Sequence, residues 1–260
     1  MNLPVNALSY IPGKGHGTLP LVDRQSNSNL LTVFVDVQHD FLCDRLYAAA
    51  ARVSAYEDGK PAGARNMVRL TDGPPDAPSK EREMLASFLP ALLRALSEKA
   101  VLDEYEHLRA PIHLVFWNPF VLDSLLAGLA RHFDALLSEA PAVYDLLTQK
   151  AAFASPTITF LDRELYRKNL PLVCPSLQAV ASYLGFDWGS HEDGATDVSL
   201  PYREVFRGRL FDGVGRIKAE GDEADGAFYT ARARFNSQIP LEYAYAAWGF
   251  TTLDSPELGT

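Results

Sequence analysis

The run LLTVFVDVQHDFL at residues 30–42 constrains the fold of this chain more than any other segment. Apolar residues occupy both faces of the run up to Asp36, which is typical of a central strand that is covered on both sides of a sheet. Two further strand candidates follow closely, at residues 45–56 and 64–72, with the turn-rich sequence EDGKPAG between them. Because the connections are short, we expect these three segments to form an antiparallel meander.

The rest of the chain alternates between helical and strand patterns. From Ser79 to Leu96, apolar residues recur at spacings of three and four, which predicts a helix with one buried face and with Ser79 as its N-cap. Pro90 lies inside this helix and is expected to kink or divide it. A β-rich strand follows at residues 110–118, and the long helix before it favours a parallel pairing with the first strand. A helix opened by Pro119, a strand at 157–162 and helices at 176–186 and 202–213 complete the pattern.

This order of elements predicts an α/β fold, in which a mixed sheet is flanked by helices. The sheet combines a three-stranded antiparallel meander with parallel strands. We divide the chain into an N-terminal arm or linker (1–29), one domain (30–218), and a C-terminal loop and tail (219–260) that is a candidate join to another module.

The charge balance and the lack of long apolar runs limit the kinds of partner that we expect for this protein. Lys and Arg number 24 against 33 Asp and Glu, and the formal net charge of −9 argues against a surface coated in phosphate-binding charge. A single local basic face would still allow nucleic-acid binding. The N-terminal residues lack the pattern of a secretory signal, and no run approaches the roughly 20 apolar residues that cross a bilayer. We therefore expect a cytoplasmic protein with no membrane contact.

Three motifs, in order, together with the long helix that follows the first of them, are similar to those of the exonuclease branch of the RNase H-like superfamily. FVDVQHD resembles the strand that carries Asp-x-Glu in that branch, with Asp36 in the place of the aspartate and Gln38 where the glutamate belongs. EMLASFLPALL (83–93) resembles the first long helix. IHLVFWNPFVLDSLL (112–126) resembles a strand that ends in Asn and is followed by an Asp at the head of the next helix, which gives Asn118 as a nucleic-acid-binding residue and Asp123 as an acidic site residue. The spacing from Asn118 to Asp123 is one residue longer than the corresponding spacing in the family's proofreading members.

The third motif is CPSLQAVASYLGFDW (174–188), which matches the helix that precedes the last acidic residue of the family. Asp193 and Asp197 in the following loop both compete for that last position. Within the superfamily, the chain resembles the uncharacterised domains that are fused to RecB-like nucleases and helicases.

The resemblance implies a metal-dependent DEDD-type 3′–5′ exonuclease that acts on a single-stranded DNA or RNA end, with helicase or RecB-like nuclease modules as partners. It places Mg²⁺ or Mn²⁺ in a two-metal site held by Asp36, Asp123 and either Asp193 or Asp197. Phosphodiester hydrolysis needs an activated water and a counter-charge for the leaving oxygen, which two ions about 4 Å apart supply. Carboxylates are the hard oxygen ligands that Mg²⁺ prefers.

Gln38 is the departure from the Asp-x-Glu motif that most affects the expected activity. A neutral amide can ligate a metal through its oxygen, but it removes one negative charge from the site. Asp40 lies on the same face of the strand as Asp36 and Gln38, and it would replace the glutamate if the strand continues that far. The alternative is a catalytically inactive RNase H-like module that serves as a nucleic-acid-binding or protein scaffold.

The remaining candidates each have a second interpretation. Asp36 would be satisfied by the backbone or by Arg45, and Asp123 would favour the helix dipole if it lay in the first helical turn. Asp193 and Asp197 lie in a polar loop, where acidic residues are common. On a helix, Arg203 and Arg207 share a face that would guide a phosphate backbone towards the acids, or would simply be solvated.

Overall fold

One five-stranded sheet organises the protein, as seen in a computed structural model. The structure describes residues 29–40, 43–58, 60–99, 112–152, 158–166, 170–172, 176–186 and 238–247. The strands are β1 (Leu30–Asp40), β2 (Arg45–Glu57), β3 (Lys60–Leu70), β4 (Ile112–Phe116) and β5 (Ile158–Phe160), and their order is β3-β2-β1-β4-β5. Strand β2 is antiparallel to β1 and β3, whereas β4 is parallel to β1 and β5. The predicted α/β class, with a meander and parallel strands in one mixed sheet, is confirmed.

Helices flank this sheet. In the described part of the chain they are α1 (Pro78–Lys99), α2 (Pro119–Arg131), α3 (Phe133–Glu139), α4 (Pro141–Ala152), α5 (Leu161–Tyr166), α6 (Leu177–Tyr183) and α7 (Gln238–Ala247). Helix α1 packs on β2 and β3, α2 packs on β1 and β2, and α7 contacts β1, β2 and α6. Among the described helices, none combines the length and the apolar character needed to cross a membrane.

The two faces of the sheet are covered by different helices. Side chains alternate along a strand, so Thr32, Phe34 and Asp36 share one face of β1. We call this the α7 face, because the rings of Phe34 and of Tyr245 in α7 meet edge to face with centroids 5.2 Å apart. The other face is covered by α1 and α2, and both helices approach Leu46 at the start of β2.

Helix α1 departs from the sequence prediction at its start, and it is not divided at Pro90. It begins at Pro78, so Ser79 lies in its first turn and the N-cap prediction is wrong. The fixed φ of proline suits the first helical position, which explains the earlier start. The helix also continues through Pro90, with Phe88, Leu89 and Leu92 fully buried around it. Packing of this apolar face compensates for the backbone hydrogen bond that proline cannot donate.

The C-terminal segment contributes a packed element. Helix α7 lies within the predicted tail, yet Leu241 and Ala244 are fully buried and the helix contacts the sheet. The predicted N-terminal arm lies almost entirely outside the described residues, and so does the predicted helix at 202–213. The domain boundaries therefore stay a prediction.

Candidate functional site

Asp36 lies on the central strand of the sheet, near the edge where the parallel strands end. It is 6% exposed and pairs with Ala50 of β2. The parallel pairing of β1 with β4 ends at Phe34 and Val115, two residues before Asp36. In open α/β sheets, ligands bind at the carboxyl ends of the parallel strands. Asp36 is therefore the buried carboxylate that lies where such a site is expected.

Gln38 contacts Asp36 directly. Two residues apart on one strand, the two side chains share the α7 face, and the amide nitrogen Nε2 of Gln38 donates to Oδ2 of Asp36 at 2.5 Å. A hydrogen bond from a neutral donor stabilises an ionised carboxylate. Gln38 thus supports Asp36 with a hydrogen-bond donor.

Arg45 and Asp40, the alternatives raised for this strand, are engaged elsewhere. The guanidinium of Arg45 donates to the carbonyl oxygens of Pro75 and Asp76, at 3.1 and 3.3 Å. Strand β1 does continue to Asp40, which is 5% exposed, and its Oδ1 accepts a hydrogen bond of 3.1 Å from the backbone nitrogen of Cys43. Asp40 therefore stabilises the turn into β2.

Asn118 and Asp123 occupy different positions on α2. Asn118 is the N-cap: its Oδ1 accepts from the backbone nitrogen of Val121 at 3.1 Å, and Pro119 fills the first helical position. Asp123 is exposed, and the first turn of α2 contains no acidic residue, so the helix-dipole interpretation of Asp123 is not supported. The structure brings Asp36 and Gln38 together and leaves Asp123 on the exposed side of α2.

Asp162 is a further carboxylate at this edge of the sheet. In the sequence it is only the last residue of the strand predicted at 157–162. It follows β5 as the second residue of α5, and its backbone nitrogen donates to the carbonyl oxygen of Trp117 at 3.0 Å. Burial raises the pKa of the Asp162 carboxyl above its ordinary value, although the backbone nitrogen and charge of Arg163 oppose that rise. An acidic residue at the end of a predicted strand is the signal that could have identified it.

A second group of charged residues surrounds Glu81 on the other face of the sheet. Glu81 is 0% exposed and accepts hydrogen bonds from the backbone nitrogen of Leu46 at 2.7 Å, from Arg131 at 2.6 Å and from His132 at 2.9 Å. Burial alone would raise the pKa of Glu81, but these hydrogen bonds outweigh it and hold the pKa below its ordinary value. Because three protein groups, one from β2 and two from the end of α2, satisfy it, Glu81 fits a structural role.

A third group joins α7 to the sheet. On β2, Arg52 and Ser54 both donate to the carboxylate of Glu242 in α7. Burial, with a contribution from the negative charge of Glu242, raises the pKa of the nearby Tyr56 well above its ordinary value. Tyr245, also in α7, is fully buried, and that burial likewise raises the pKa of its phenol.

His113 lies under the same helix. It is 0% exposed on β4, and its Nε2 lies 2.9 Å from Oγ1 of Thr159 on β5. Burial lowers the pKa of His113 to about 3, so the imidazole is neutral at physiological pH. This histidine is thus a neutral hydrogen-bonding group within the fold.

The other predicted site residues lie outside the described residues: Asp193, Asp197, Arg203 and Arg207. Across the described ranges, no group of three or more His, Cys, Asp or Glu side chains is arranged to hold a metal ion. The predicted metal-ligand set therefore stays a prediction. No protein-family model matches the chain, and a search of curated proteins returned no match.

Proposed function

We propose that the chain is a metal-dependent nuclease domain of the RNase H-like type, which removes nucleotides from the 3′ end of single-stranded DNA or RNA. The observation that carries the proposal is Asp36, a buried carboxylate near the carboxyl edge of the central strand. Burying an ionised group is costly unless it is hydrogen-bonded or binds a metal. A central first strand, with a meander on one side and parallel strands on the other, is also the arrangement that the family resemblance implies.

Each residue has a role in this proposal. Asp36 holds the metal through a hard oxygen ligand, and Gln38 orients Asp36 through its amide. The resemblance assigns the rest of the ligand set to Asp123, which is exposed on α2, and to either Asp193 or Asp197. When bound, Mg²⁺ or Mn²⁺ lowers the pKa of a water and stabilises charge on the scissile phosphate.

Digestion of single-stranded DNA and RNA labelled at the 5′ end, with Mg²⁺ or Mn²⁺ present, tests the proposal. We expect a ladder from the 3′ end that requires the metal. Asp36→Asn should slow it by about 100-fold or more, since loss of even a group that orients a metal ligand costs about 10–100-fold.

Asp58→Asn is the matched control for this experiment. Asp58 lies in the turn after β2 with a φ of 50°, a conformation that Asn adopts readily, so the same chemical change should leave the fold and the ladder intact. A ladder that survives both Asp36→Asn and removal of the metal would contradict the proposal.

The second candidate is a catalytically inactive module that positions nucleic acid or protein partners, such as helicase or RecB-like nuclease modules. The contact between Gln38 and Asp36 favours it, because the amide stabilises the carboxylate without a metal. A ligand that binds only the folded state must raise the melting temperature. The nuclease therefore predicts a Mg²⁺-dependent rise that Asp36→Asn removes, and the inactive module predicts no rise.

A further inference from the structure

The α7 face of the sheet carries polar side chains where a core would ordinarily be apolar. Thr32, His113 and Thr159 are fully buried there, and Ser54 is 4% exposed. Across the described residues, Oγ1 of Thr32 and Nδ1 of His113 have no hydrogen-bond partner, and the two residues are paired in register. Leaving a buried polar atom without a hydrogen bond is costly. Fewer of the polar groups on the α7 face are therefore hydrogen-bonded than in an ordinary core.

Arg52 and Ser54 both donate hydrogen bonds to one carboxylate on the α7 face. They are two residues apart on β2, so both side chains point to that face, and they donate to the two different oxygens of Glu242. A guanidinium beside a hydroxyl binds a carboxylate and a phosphate through the same geometry. Glu242 therefore occupies a position that suits a phosphate group.

Arg52 lies in the row of side chains next to that of Asp36, and Ser54 lies one row further away. Arg52 pairs with Phe34, and Asp36 pairs with Ala50, so the two rows are adjacent on the same face of the sheet. Two residues along a strand correspond to about 7 Å. A nucleic-acid backbone that reaches Asp36 would thus bring a neighbouring phosphate within range of Arg52.

The ion pair is also open to solvent. The side chain of Arg52 is 26% exposed and that of Glu242 is 20% exposed, although the rest of the layer is buried. The carboxylate can therefore rotate away from Arg52 while Leu241 and Ala244, both fully buried, keep α7 in place.

We propose that Arg52 and Ser54 form a phosphate-binding site for a nucleic-acid backbone, and that Glu242 occupies this site when no ligand is bound. The assignment of the ligand rests on the proposed function. Glu242 then acts as an internal competitor that weakens substrate binding until a phosphate replaces it.

Binding of a fluorescein-labelled (dT)10 oligonucleotide, measured by anisotropy in EDTA, tests this site without cleavage. Glu242→Gln removes the competing charge. If Glu242 occupies the site for about nine-tenths of the time, apparent affinity should rise about tenfold in the variant. The double variant Glu242→Gln with Arg52→Gln should lose that gain.

Glu98→Gln is the matched control. Glu98 also pairs with an arginine on the sheet, Arg65 at 3.7 Å, but on an exposed surface, so the variant makes the same change in net charge. Equal gains in Glu98→Gln and Glu242→Gln would overturn the proposal. A gain for inorganic phosphate, but not for the oligonucleotide, would overturn the assignment to nucleic acid.

Hydrogen exchange in the wild-type chain covers the case in which Glu242→Gln does not fold. Displacement of Glu242 by saturating oligonucleotide removes the contacts that join α7 to Arg52 and Ser54, so the α7 amides should lose part of their protection although Leu241 and Ala244 keep the helix docked; unchanged or higher protection would contradict the proposal. The binding assay and the digestion assay can give different outcomes. If Glu242→Gln binds the oligonucleotide more tightly but no Asp36-dependent digestion occurs, the phosphate-binding site is supported and the nuclease activity is contradicted.

Discussion

Glu81 and Asp36 are both buried carboxylates, and they lie on opposite faces of the sheet. Glu81 accepts hydrogen bonds from Arg131, from His132 and from the backbone nitrogen of Leu46. The guanidinium of Arg131 fixes the charge of Glu81 within the fold, which is typical of a structural acid. Asp36 accepts a hydrogen bond from the amide of Gln38 and lies near the carboxyl ends of the parallel strands, where a ligand is expected to bind.

We expect Glu81→Gln to destabilise the fold by about 2–4 kcal/mol, because it leaves Arg131 and His132 without a charged acceptor. The expected cost is below the maximum for a buried pair, since the Arg131 side chain is 33% exposed and is partly hydrated. Urea unfolding measures the change. Glu98→Gln, which breaks an exposed ion pair, should cost about 0–1 kcal/mol; equal losses in the two variants would contradict the structural role of Glu81.

The same residue predicts a pH dependence. The pKa of Glu81 is lowered in the folded protein, so its stabilising contribution is complete above the unfolded value of about 4.3 and is lost as the pH falls through the folded value. The free energy of unfolding of the wild type should therefore fall more steeply than that of Glu81→Gln below about pH 4.3. Parallel pH profiles for the two proteins would show that Glu81 is not responsible.

At the scale of elements, α2 depends on its first residues and on one glycine. Asn118 caps the helix, Pro119 starts it, and Gly128 allows it to approach Leu46 at the start of β2. Asn118 was predicted from the family resemblance as a nucleic-acid-binding residue, and its cap hydrogen bond gives it a structural task as well. Variants can separate these two roles.

Asn118→Ala should cost about 1 kcal/mol of stability, because the backbone nitrogen of Val121 loses its acceptor. Asn118→Asp keeps a side-chain oxygen at the cap and should stay within about 0.5 kcal/mol of the wild type. Chemical denaturation of the three proteins checks this order. If Asn118→Ala were as stable as the wild type, the cap hydrogen bond would not contribute to the stability of the fold.

Gly128→Ala should destabilise α2, although alanine is the better helix former. A Cβ at this position would lie 2.8 Å from Cδ1 of the fully buried Leu46, so the packing between α2 and β2 must shift. Overpacking costs about 1–3 kcal/mol, which exceeds the gain of about 1 kcal/mol in helix propensity. Ala127→Gly, at an exposed position of the same helix, measures the propensity alone. A stabilised Gly128→Ala would contradict the close approach.

The limits of sequence prediction are also visible in single elements. The strand predicted at 157–162 is shorter in the structure, Ile158–Phe160, and Asp162 belongs to a helix that begins directly after it. A three-residue strand carries too little periodicity to fix its end. The predicted end of β3 was two residues late, at Asp72 where the strand ends at Leu70, because a half-exposed edge strand lacks a continuous apolar pattern.

At the scale of the whole molecule, the sequence predicted the sheet well because its connections are short and its first strand is apolar on both faces. The antiparallel meander and the parallel pairing of β4 with β1 both followed from the spacing of elements. The pairing of Glu242 with Arg52 joins residues 190 positions apart, and no local pattern indicates such a contact. Helix α7 was predicted as part of a tail for the same reason.

Binding of Mn²⁺ to the wild-type chain and to Asp36→Asn, measured by isothermal titration calorimetry, tests whether Asp36 is a metal ligand. We expect the wild type to bind the metal and Asp36→Asn to weaken the affinity by at least about tenfold, with Asp58→Asn unchanged. Equal Mn²⁺ affinities in the wild type and Asp36→Asn, or no binding to either, would contradict the assignment of Asp36 as a metal ligand and favour the catalytically inactive module.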